Sequence, residues 1–192
     1  MTLPAAAVPL PSVTLADGIT MRTAVEDDAE ALADAYTRNR EHLRPSSPRR
    51  DESFFTADGQ AARLRDQLEQ WESGRMVPWV LTGGERILGT VTLSHIVLGP
   101  WRNGHLGYWI DAGHLGRGLA SLAVRSVCRV ADERLGLHRI EASTLVENVP
   151  SQGVLLRCGF TRIGMAPDYL HIAGAWRDHL LFQRVLHDRP AV

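Results

Sequence analysis

A glycine-rich turn in the middle of the chain has residue types that suit a phosphate-bearing ligand. The turn reads Leu115-Gly116-Arg117-Gly118-Leu119-Ala120 and follows an apolar run that ends near Asp111. Glycine at positions 116 and 118 lets the backbone approach a ligand that a Cβ atom would push away. A helix that begins directly after the turn offers unpaired N–H groups and the positive end of its dipole. This combination predicts a pyrophosphate site, and an ordinary strand-to-helix turn is the alternative.

The amphipathic run after the turn is the clearest helix in the sequence. Its apolar and small side chains recur at i, i+3, i+4 and i+7 spacing from Leu119 to Ala131, and we expect Gly136 to end it. We predict strands over 19–22, 79–82, 87–94, 105–111, 139–145, 160–163, 169–172 and 176–185, and further helices over 27–40, 61–72 and 150–158. The range 41–51 contains two prolines and is predicted to be a loop. This order predicts an α/β (α+β) fold, a mixed, mostly antiparallel twisted sheet flanked by helices.

Length and composition predict one domain with short extensions at both ends. The 192 residues favour a domain over 18–187, a poorly ordered leader over 1–17 and a short tail over 188–192. The formal net charge of −1 gives no general attraction to nucleic acid, and we interpret the basic cluster from Arg44 to Arg50 as a solvated loop. No direct nucleic-acid binding is therefore expected.

The cysteine content and the apolar runs predict where the protein works. Cys128 and Cys158 lack the spacing of metal ligands, which favours a reducing compartment. No apolar run approaches the ~18 residues that span a bilayer. The first residues lack the basic and continuous apolar regions of a signal peptide. We therefore expect a cytoplasmic protein without a membrane partner.

Three motifs in a fixed order resemble one enzyme superfamily. They are the glycine turn, Asn148-Val149-Pro150-Ser151, and Cys158-Gly159-Phe160. Together they resemble the GNAT (GCN5-related N-acetyltransferase) superfamily, over about residues 18–187. The closing segment from Asp168 to His179, and the run from Val91 to His95, are similar to the RimJ branch of the ribosomal-protein alanine N-acetyltransferases of the RimJ/RimL type. The resemblance implies a GNAT fold in which acetyl-CoA lies in a cleft between two splayed strands, and no metal.

The resemblance also implies which residues bind the cofactor. It assigns the pyrophosphate to the turn from Leu115 to Ala120, although Leu115 stands where the family usually has Gln or Arg; backbone amides can replace that side chain. It assigns the pantetheine arm to Asn148, whose alternative is a turn role outside a helix. It assigns the backbone of Trp109 and Ile110 to pantetheine and to the thioester oxygen, where an N–H group would stabilise the oxyanion. Core packing is the alternative for Trp109.

The catalytic residues follow less directly from the resemblance. Leu155 occupies the position of the tyrosine that protonates the CoA thiolate in many members, so Ser151 is the nearest candidate acid; a local backbone bond is its alternative. His105 stands where many relatives have a glutamate base, and an ordinary histidine pKa of about 6.5 suits that role. Glu141 is a further candidate base. A surface position is the alternative for both candidate bases.

The acceptor implied by the resemblance is an amine, most simply the N-terminal α-amine of a ribosomal protein or a similar peptide. An α-amine needs little help to lose its proton, because its pKa is about 7.7–8.0 against about 10.4 for lysine. The range 39–50 and the hairpin around Trp176-Arg177-Asp178 would form the acceptor cleft. Alternatives are a small-molecule amine such as an antibiotic, another acyl-CoA, or a CoA-binding sensor without turnover. A homodimer is left open.

Overall fold

The computed structural model describes residues 10–16 and 18–190 and has eight strands. The strands are β1 (Val13–Ala16), β2 (Ile19–Thr23), β3 (Val77–Gly83), β4 (Arg86–Val97), β5 (Asn103–Ile110), β6 (Arg139–Leu145), β7 (Thr161–Ile172) and β8 (Ala175–Val185). The helices are α1 (Ala29–Arg38), α2 (Arg40–Leu43), α3 (Ala57–Glu72), α4 (Leu119–Glu133) and α5 (Val149–Arg157), with short 3₁₀ turns at Glu26–Asp28, Arg44–Ser46, Glu52–Phe55 and Ala112–His114. None of the helices in these described ranges is long and apolar enough to cross a membrane.

The strands form one sheet in the order β1-β2-β3-β4-β5-β6-β8-β7. Every neighbouring pair is antiparallel except β5 and β6, which are parallel. The sheet is therefore mixed and mostly antiparallel, as the sequence predicted.

A cleft opens between the two parallel strands. Their pairing runs only from Asn103 opposite Arg139 to Leu106 opposite Ala142. β5 nevertheless continues to Ile110 and β6 to Leu145. The last residues of each strand have no partner across this gap, which confirms the predicted separation of two strands.

Helices cover both faces of the sheet because apolar residues point to both. The face that includes Leu106 and Ile110 packs against α4, whose Ala123, Val124 and Val127 are fully buried. The opposite face packs against α1 and α3, where a second apolar cluster contains Leu32, Tyr36, Leu64, Val80 and Ile87. Successive residues of β5 point to opposite faces, so this strand supplies side chains to both layers.

Three segments differ from the sequence predictions. The leader was expected to be poorly ordered, yet β1 pairs Val13 with Met21 of β2, because this pairing satisfies backbone groups at the sheet edge; residues 1–9 of the leader lie outside the described residues. The predicted loop over 41–51 contains α2 and a 3₁₀ turn. β7 is one strand where two were predicted. Its register with β8 shifts between Ala166 and Leu170, around a proline that donates no ladder bond, and this irregularity breaks the strand pattern in the sequence.

Candidate active site

The glycine turn has an open backbone that begins a helix. Gly116 and Gly118 both have a φ angle of 74°, and a Cβ atom added at either would meet nothing within 4 Å. The first helical bond of α4 runs from the Leu122 N–H group to the Gly118 carbonyl oxygen, at 3.1 Å. The amides of the three residues between them precede that bond and have no partner inside the helix. This arrangement suits an anion.

A buried carboxylate fixes the segment that leads into this turn. Asp111 accepts hydrogen bonds from Asn39 Nδ2 (2.9 Å), from Arg38 Nε (3.1 Å) and from the Gly113 amide (2.9 Å). The Oδ1 atom of Asn39 in turn accepts from the Ala112 amide at 2.8 Å. Burial alone would raise the pKa of Asp111, but these hydrogen bonds outweigh it and hold the pKa well below its ordinary value. The end of α1 thereby holds in place the segment that leads into the glycine turn.

Ser151 lies at the start of α5, across the cleft from β5. Its amide donates to Oδ1 of Asn148, the helix N-cap, at 3.2 Å. Its Oγ atom lies 2.9 Å from the Tyr108 hydroxyl, which also lies 3.2 Å from the Ser151 carbonyl oxygen. Burial raises the pKa of Tyr108 to about 12, against the opposing effect of the Ser151 hydrogen bond. Neither Tyr108 nor Asp111 was predicted from the sequence to be a site residue.

His105 lies on the other face of β5, near the point where the strands separate. Its Nε2 atom is 3.5 Å from Ser143 Oγ, and its ring centroid is 6.3 Å from that of His95. Burial, followed by the charge of His95, lowers the pKa of His105. Glu141 is paired with His105 in the register of β5 and β6, but its carboxylate makes an ion pair with Arg139 at 2.8 Å. Glu141 is thus held in an ion pair, whereas no salt bridge within the described part of the chain involves His105.

A cavity of about 880 Å³ opens on this same face of the sheet. Gly107 and Trp109 of β5 form part of its floor, and a Cβ atom added at Gly107 would meet nothing within 4 Å. One wall is the segment from Arg40 to Arg50. Ala173, at the tip of the β7–β8 hairpin, closes the other side and donates its amide to the Ser47 carbonyl oxygen at 3.0 Å.

The range 39–50 and the β7–β8 hairpin thus meet over this cavity, but Ala173 is the hairpin residue that lines it. Trp176, Arg177 and Asp178, which were expected to form the second wall, do not line the cavity; Arg177 pairs with Glu147, and Asp178 accepts from the Asp168 amide.

Aromatic side chains connect the floor of the cavity to its helical wall. Trp109 Nε1 donates to the Tyr36 hydroxyl at 3.2 Å, and their ring centroids are 5.0 Å apart. The Tyr36 and Phe54 rings meet edge to face at 4.8 Å. Trp109 therefore packs as the alternative interpretation expected, and also lines the cavity.

The structure gives other predicted residues ordinary structural roles. Leu155 and Ile110 are buried in the core, so Ile110 offers a ligand only its backbone. Leu115 and Arg117 are exposed on the glycine turn. Cys128 is buried, and burial raises its pKa to about 11, which suits a packed thiol and not a nucleophile. In the described ranges, no three His, Cys, Asp or Glu side chains come close enough together to hold a metal ion.

Comparison with known proteins identifies the family. The acetyltransferase (GNAT) domain model matches residues 19–161, so the chain belongs to the GNAT acetyltransferase family and is an acyltransferase. It is 36% identical over 175 residues to the ribosomal protein uS5-alanine N-acetyltransferase of Escherichia coli K12, with 90% of each chain covered.

Two solved structures have the same fold and share about a third of their sequence with this chain. The ribosomal-protein-S5-alanine acetyltransferase from Vibrio fischeri superimposes with a TM-score of 0.89 at 33% identity, covering 94% of this chain and 100% of that one. Mycobacterium smegmatis RimJ, in complex with CoA-disulfide, has a TM-score of 0.86 at 29% identity, covering 93% of this chain and 88% of that one. The sequence-based assignment to the RimJ/RimL type of GNAT protein is confirmed.

Proposed function

We propose that this protein transfers the acetyl group of acetyl-CoA to the N-terminal α-amine of a ribosomal protein or a similar peptide, by direct attack of the amine on the thioester. The main support for this proposal is that Gly107 borders both the cleft between β5 and β6 and the cavity. This residue follows the last β5–β6 pair, so it borders the cleft, and it also lines the cavity on the α1–α3 side. A thioester in the cleft would be reached by an amine in the cavity.

Acetyl-CoA would bind along the cleft and end at the glycine turn. The open backbone at Gly116 and Gly118 and the free amides of α4 would hold the pyrophosphate. Asn148 uses its Oδ1 atom as a helix cap, which leaves Nδ2 to donate to the pantetheine arm. Amides on the unpaired edge near Trp109 and Ile110 would bond pantetheine and the thioester oxygen, where they would stabilise the developing oxyanion. Mycobacterium smegmatis RimJ, which shares this fold, binds a CoA species.

The two faces of β5 would supply the two proton transfers. As the amine nitrogen bonds to the carbonyl carbon, the C–S bond breaks; the amine loses a proton and the thiolate gains one. His105 is suited to accept the first proton because its lowered pKa keeps it neutral. Ser151 would donate the second, and Tyr108, which is protonated before the reaction, would restore the proton on Ser151 Oγ over 2.9 Å. Tyr108 would then regain a proton from solvent, and His105 would release its proton to solvent.

Two observations support a peptide N-terminus as the acceptor. The relatives from Escherichia coli and Vibrio fischeri are alanine N-acetyltransferases for ribosomal protein uS5 (S5). A neutral histidine without a carboxylate partner is a weak base, which suits an α-amine with a pKa of about 7.7–8.0 better than a lysine at about 10.4. We also infer a cytoplasmic location, because Cys128 and Cys158 are both free.

A matched pair of peptides tests the proposal. One has a free alanine N-terminus and no lysine; the other has a blocked N-terminus and one internal lysine. At pH 7.5 about one-third of the α-amine is neutral, against about one part in a thousand of the lysine, so the first peptide is expected to react faster by at least about 10²-fold. Equal or faster acetylation of the second peptide would overturn the acceptor assignment. Failure on both, with rapid acetylation of a small amine, would favour a small-molecule acceptor, and binding of acetyl-CoA without any transfer would favour a sensor.

A further inference from the structure

The cavity that meets the cleft is lined by cationic side chains. Five arginines contribute to its lining, namely Arg40, Arg44, Arg49, Arg50 and Arg63. Within the part of the chain that the structure describes, no aspartate or glutamate lines this space. This is unlike the protein as a whole, whose formal net charge is −1. This concave site therefore carries a local excess of positive charge.

Two of these arginines are already neutralised and lie at the outer wall. Arg40 makes two contacts with the Glu52 carboxylate, at 3.0 and 2.5 Å. Arg44 lies 3.3 Å from a carboxylate oxygen of Glu41. These pairs are exposed, and each side chain has its counter-charge on a neighbouring element.

The other three arginines have no such partner. Across the described ranges, no carboxylate forms a salt bridge with Arg49, Arg50 or Arg63. Instead, Arg63 donates to the Gln60 side chain at 3.4 Å. Three guanidinium groups thus face the cavity with their charge uncompensated.

Aromatic rings hold two of these cations close to each other. The Arg50 guanidinium lies 4.6 Å from the centre of the Phe54 ring, and the Arg63 guanidinium lies 5.8 Å from that same centre. Arg63 also lies 5.6 Å from the centre of the Tyr36 ring. Desolvation and then the charge of Arg63 lower the pKa of Arg50. Two like charges fixed at one site are unfavourable unless an anion binds between or beside them.

We propose that this cavity binds acidic side chains of the acceptor peptide, a few residues after its N-terminal amine, so that the enzyme selects acidic N-termini. The inference rests on the proposed function, since it assumes a peptide acceptor. Guanidinium groups pair with carboxylates through two parallel hydrogen bonds, and Arg50 and Arg63 are held in place by the rings beneath them.

The aromatic floor sets the distance between the amine and the acidic side chains. Trp109 follows Gly107 by two residues on β5. The centre of its ring lies 5.0 Å from that of Tyr36, which in turn lies 4.8 Å from that of Phe54. An extended peptide advances about 3.3–3.6 Å per residue. If the N-terminal amine lies near Gly107, carboxylates at about the third to fifth residues of the acceptor would reach Arg50 and Arg63.

Two peptides that differ only in charge test this selectivity. Both begin with alanine, carry a free N-terminus and contain no lysine; one has glutamates at positions three to five and the other has glutamines there. We expect the wild-type enzyme to favour the acidic peptide in kcat/KM by about tenfold, as two charge-assisted hydrogen bonds of moderate strength allow. The ratio should fall as salt is raised from about 0.05 to about 0.5 M.

Enzyme variants assign the selectivity to the cavity. In the double variant Arg50→Gln/Arg63→Gln, the ratio between the two peptides should fall to about twofold or less. The matched control is Arg65→Gln, because Arg65 is an exposed arginine of the same helix, α3, outside the cavity lining. It should keep the wild-type ratio. The ratio of the two kcat/KM values does not depend on the amount of folded protein, so a structural defect alone would not change it.

The remaining outcomes separate failure of the acidic-acceptor inference from failure of the proposed function. Equal rates on both peptides with the wild-type enzyme, or a ratio that survives in the double variant, would overturn the acidic-acceptor inference while leaving N-terminal acetylation intact. If neither peptide is acetylated, the proposed function fails and this inference fails with it. If polyuridylate RNA inhibits transfer at low salt and the acidic peptide has no advantage, the arginines bind nucleic acid instead.

Discussion

The phenol oxygen of Tyr108 lies 2.9 Å from the Oγ atom of Ser151, so one side chain of β5 spans the cleft to the first turn of α5. The resemblance led us to expect no tyrosine near the departing thiolate, because Leu155 occupies the usual position and is buried in the core. In the fold, Tyr108 on β5 places its phenol oxygen beside Ser151 from the opposite wall of the cleft. Ser151 and Tyr108 therefore form a pair through which a proton can pass.

Ser151→Ala is expected to slow turnover much more than it weakens acetyl-CoA binding. General-acid assistance contributes about 10²–10⁴-fold where it operates, and alanine removes the donor without changing the backbone that the Asn148 side chain caps. Single-turnover kinetics should measure the chemical step, and calorimetry should measure acetyl-CoA affinity. Tyr108→Phe keeps the packed ring and removes only the hydroxyl, so its effect on turnover should be smaller. An unchanged kcat for Ser151→Ala, with chemistry limiting, would place the acid elsewhere or make water the donor.

Gly118→Val is expected to abolish acetyl-CoA binding while the fold survives. The side chain would occupy the open space in front of the α4 amides, and a φ of 74° is also strained for a β-branched residue, by roughly 1–2 kcal/mol. Gly84→Val is the matched control, because Gly84 has a φ of 62° and open surroundings in the β3–β4 turn. Both variants should lose similar thermal stability, and only the first should lose calorimetric binding. Wild-type affinity in Gly118→Val would exclude the turn as the pyrophosphate site.

Asp111→Asn should destabilise the protein by about 1–3 kcal/mol and weaken acetyl-CoA binding, because donors of Arg38 and Asn39 lose a buried carboxylate. The folded-state pKa of Asp111 is lowered, so its contribution is fully present above the ordinary value of about 3.9 and is lost as pH falls below it. The difference in Tm between wild type and variant should stay constant from about pH 7 to 5 and shrink below about pH 4.

The exposed Asp66 of α3 offers a control for this experiment, since Asp66→Asn should change Tm little at any pH. A Tm difference between wild type and Asp111→Asn that grows on acidification would contradict the assigned charge state.

Local patterns predicted the parts of the site that depend on neighbours in sequence. The glycine turn and the start of α4 involve adjacent residues, so glycine chemistry and helical spacing were sufficient to find them. Alternation along β5 correctly put His105 and Trp109 on one face. The same alternation put Tyr108 on the other face, but only the tertiary structure brings α5 opposite to it.

Contacts between distant residues could not be predicted from the sequence. Asn39 and Asp111 are 72 positions apart, and neither lies in a recognisable motif, so their hydrogen bond depends on how α1 docks beside β5. The basic run up to Arg50 was interpreted as a solvated loop because its composition is that of a loop. Its partner in the cavity, Arg63, comes from α3, and the tip of the β7–β8 hairpin closes the space.

The pH profile of kcat/KM should identify the base. Because the pKa of His105 is lowered from about 6.5, the acidic limb of the profile, corrected for the neutral fraction of the acceptor amine, should have its midpoint below that value. Activity should therefore be independent of His105 titration at neutral pH and be lost as pH falls and the imidazole is protonated. His105→Gln should remove this limb and lower kcat/KM by about 10²-fold.

Glu141→Gln separates the two candidate bases. Its carboxylate is held by Arg139, so the variant should keep the acidic limb and most of the activity. A limb that disappears in Glu141→Gln and persists in His105→Gln would reverse the assignment. A limb that persists in both variants would place the base on another residue. A corrected profile without an acidic limb in the wild-type enzyme would mean that the amine reaches the thioester already deprotonated, with the enzyme contributing position and oxyanion stabilisation alone.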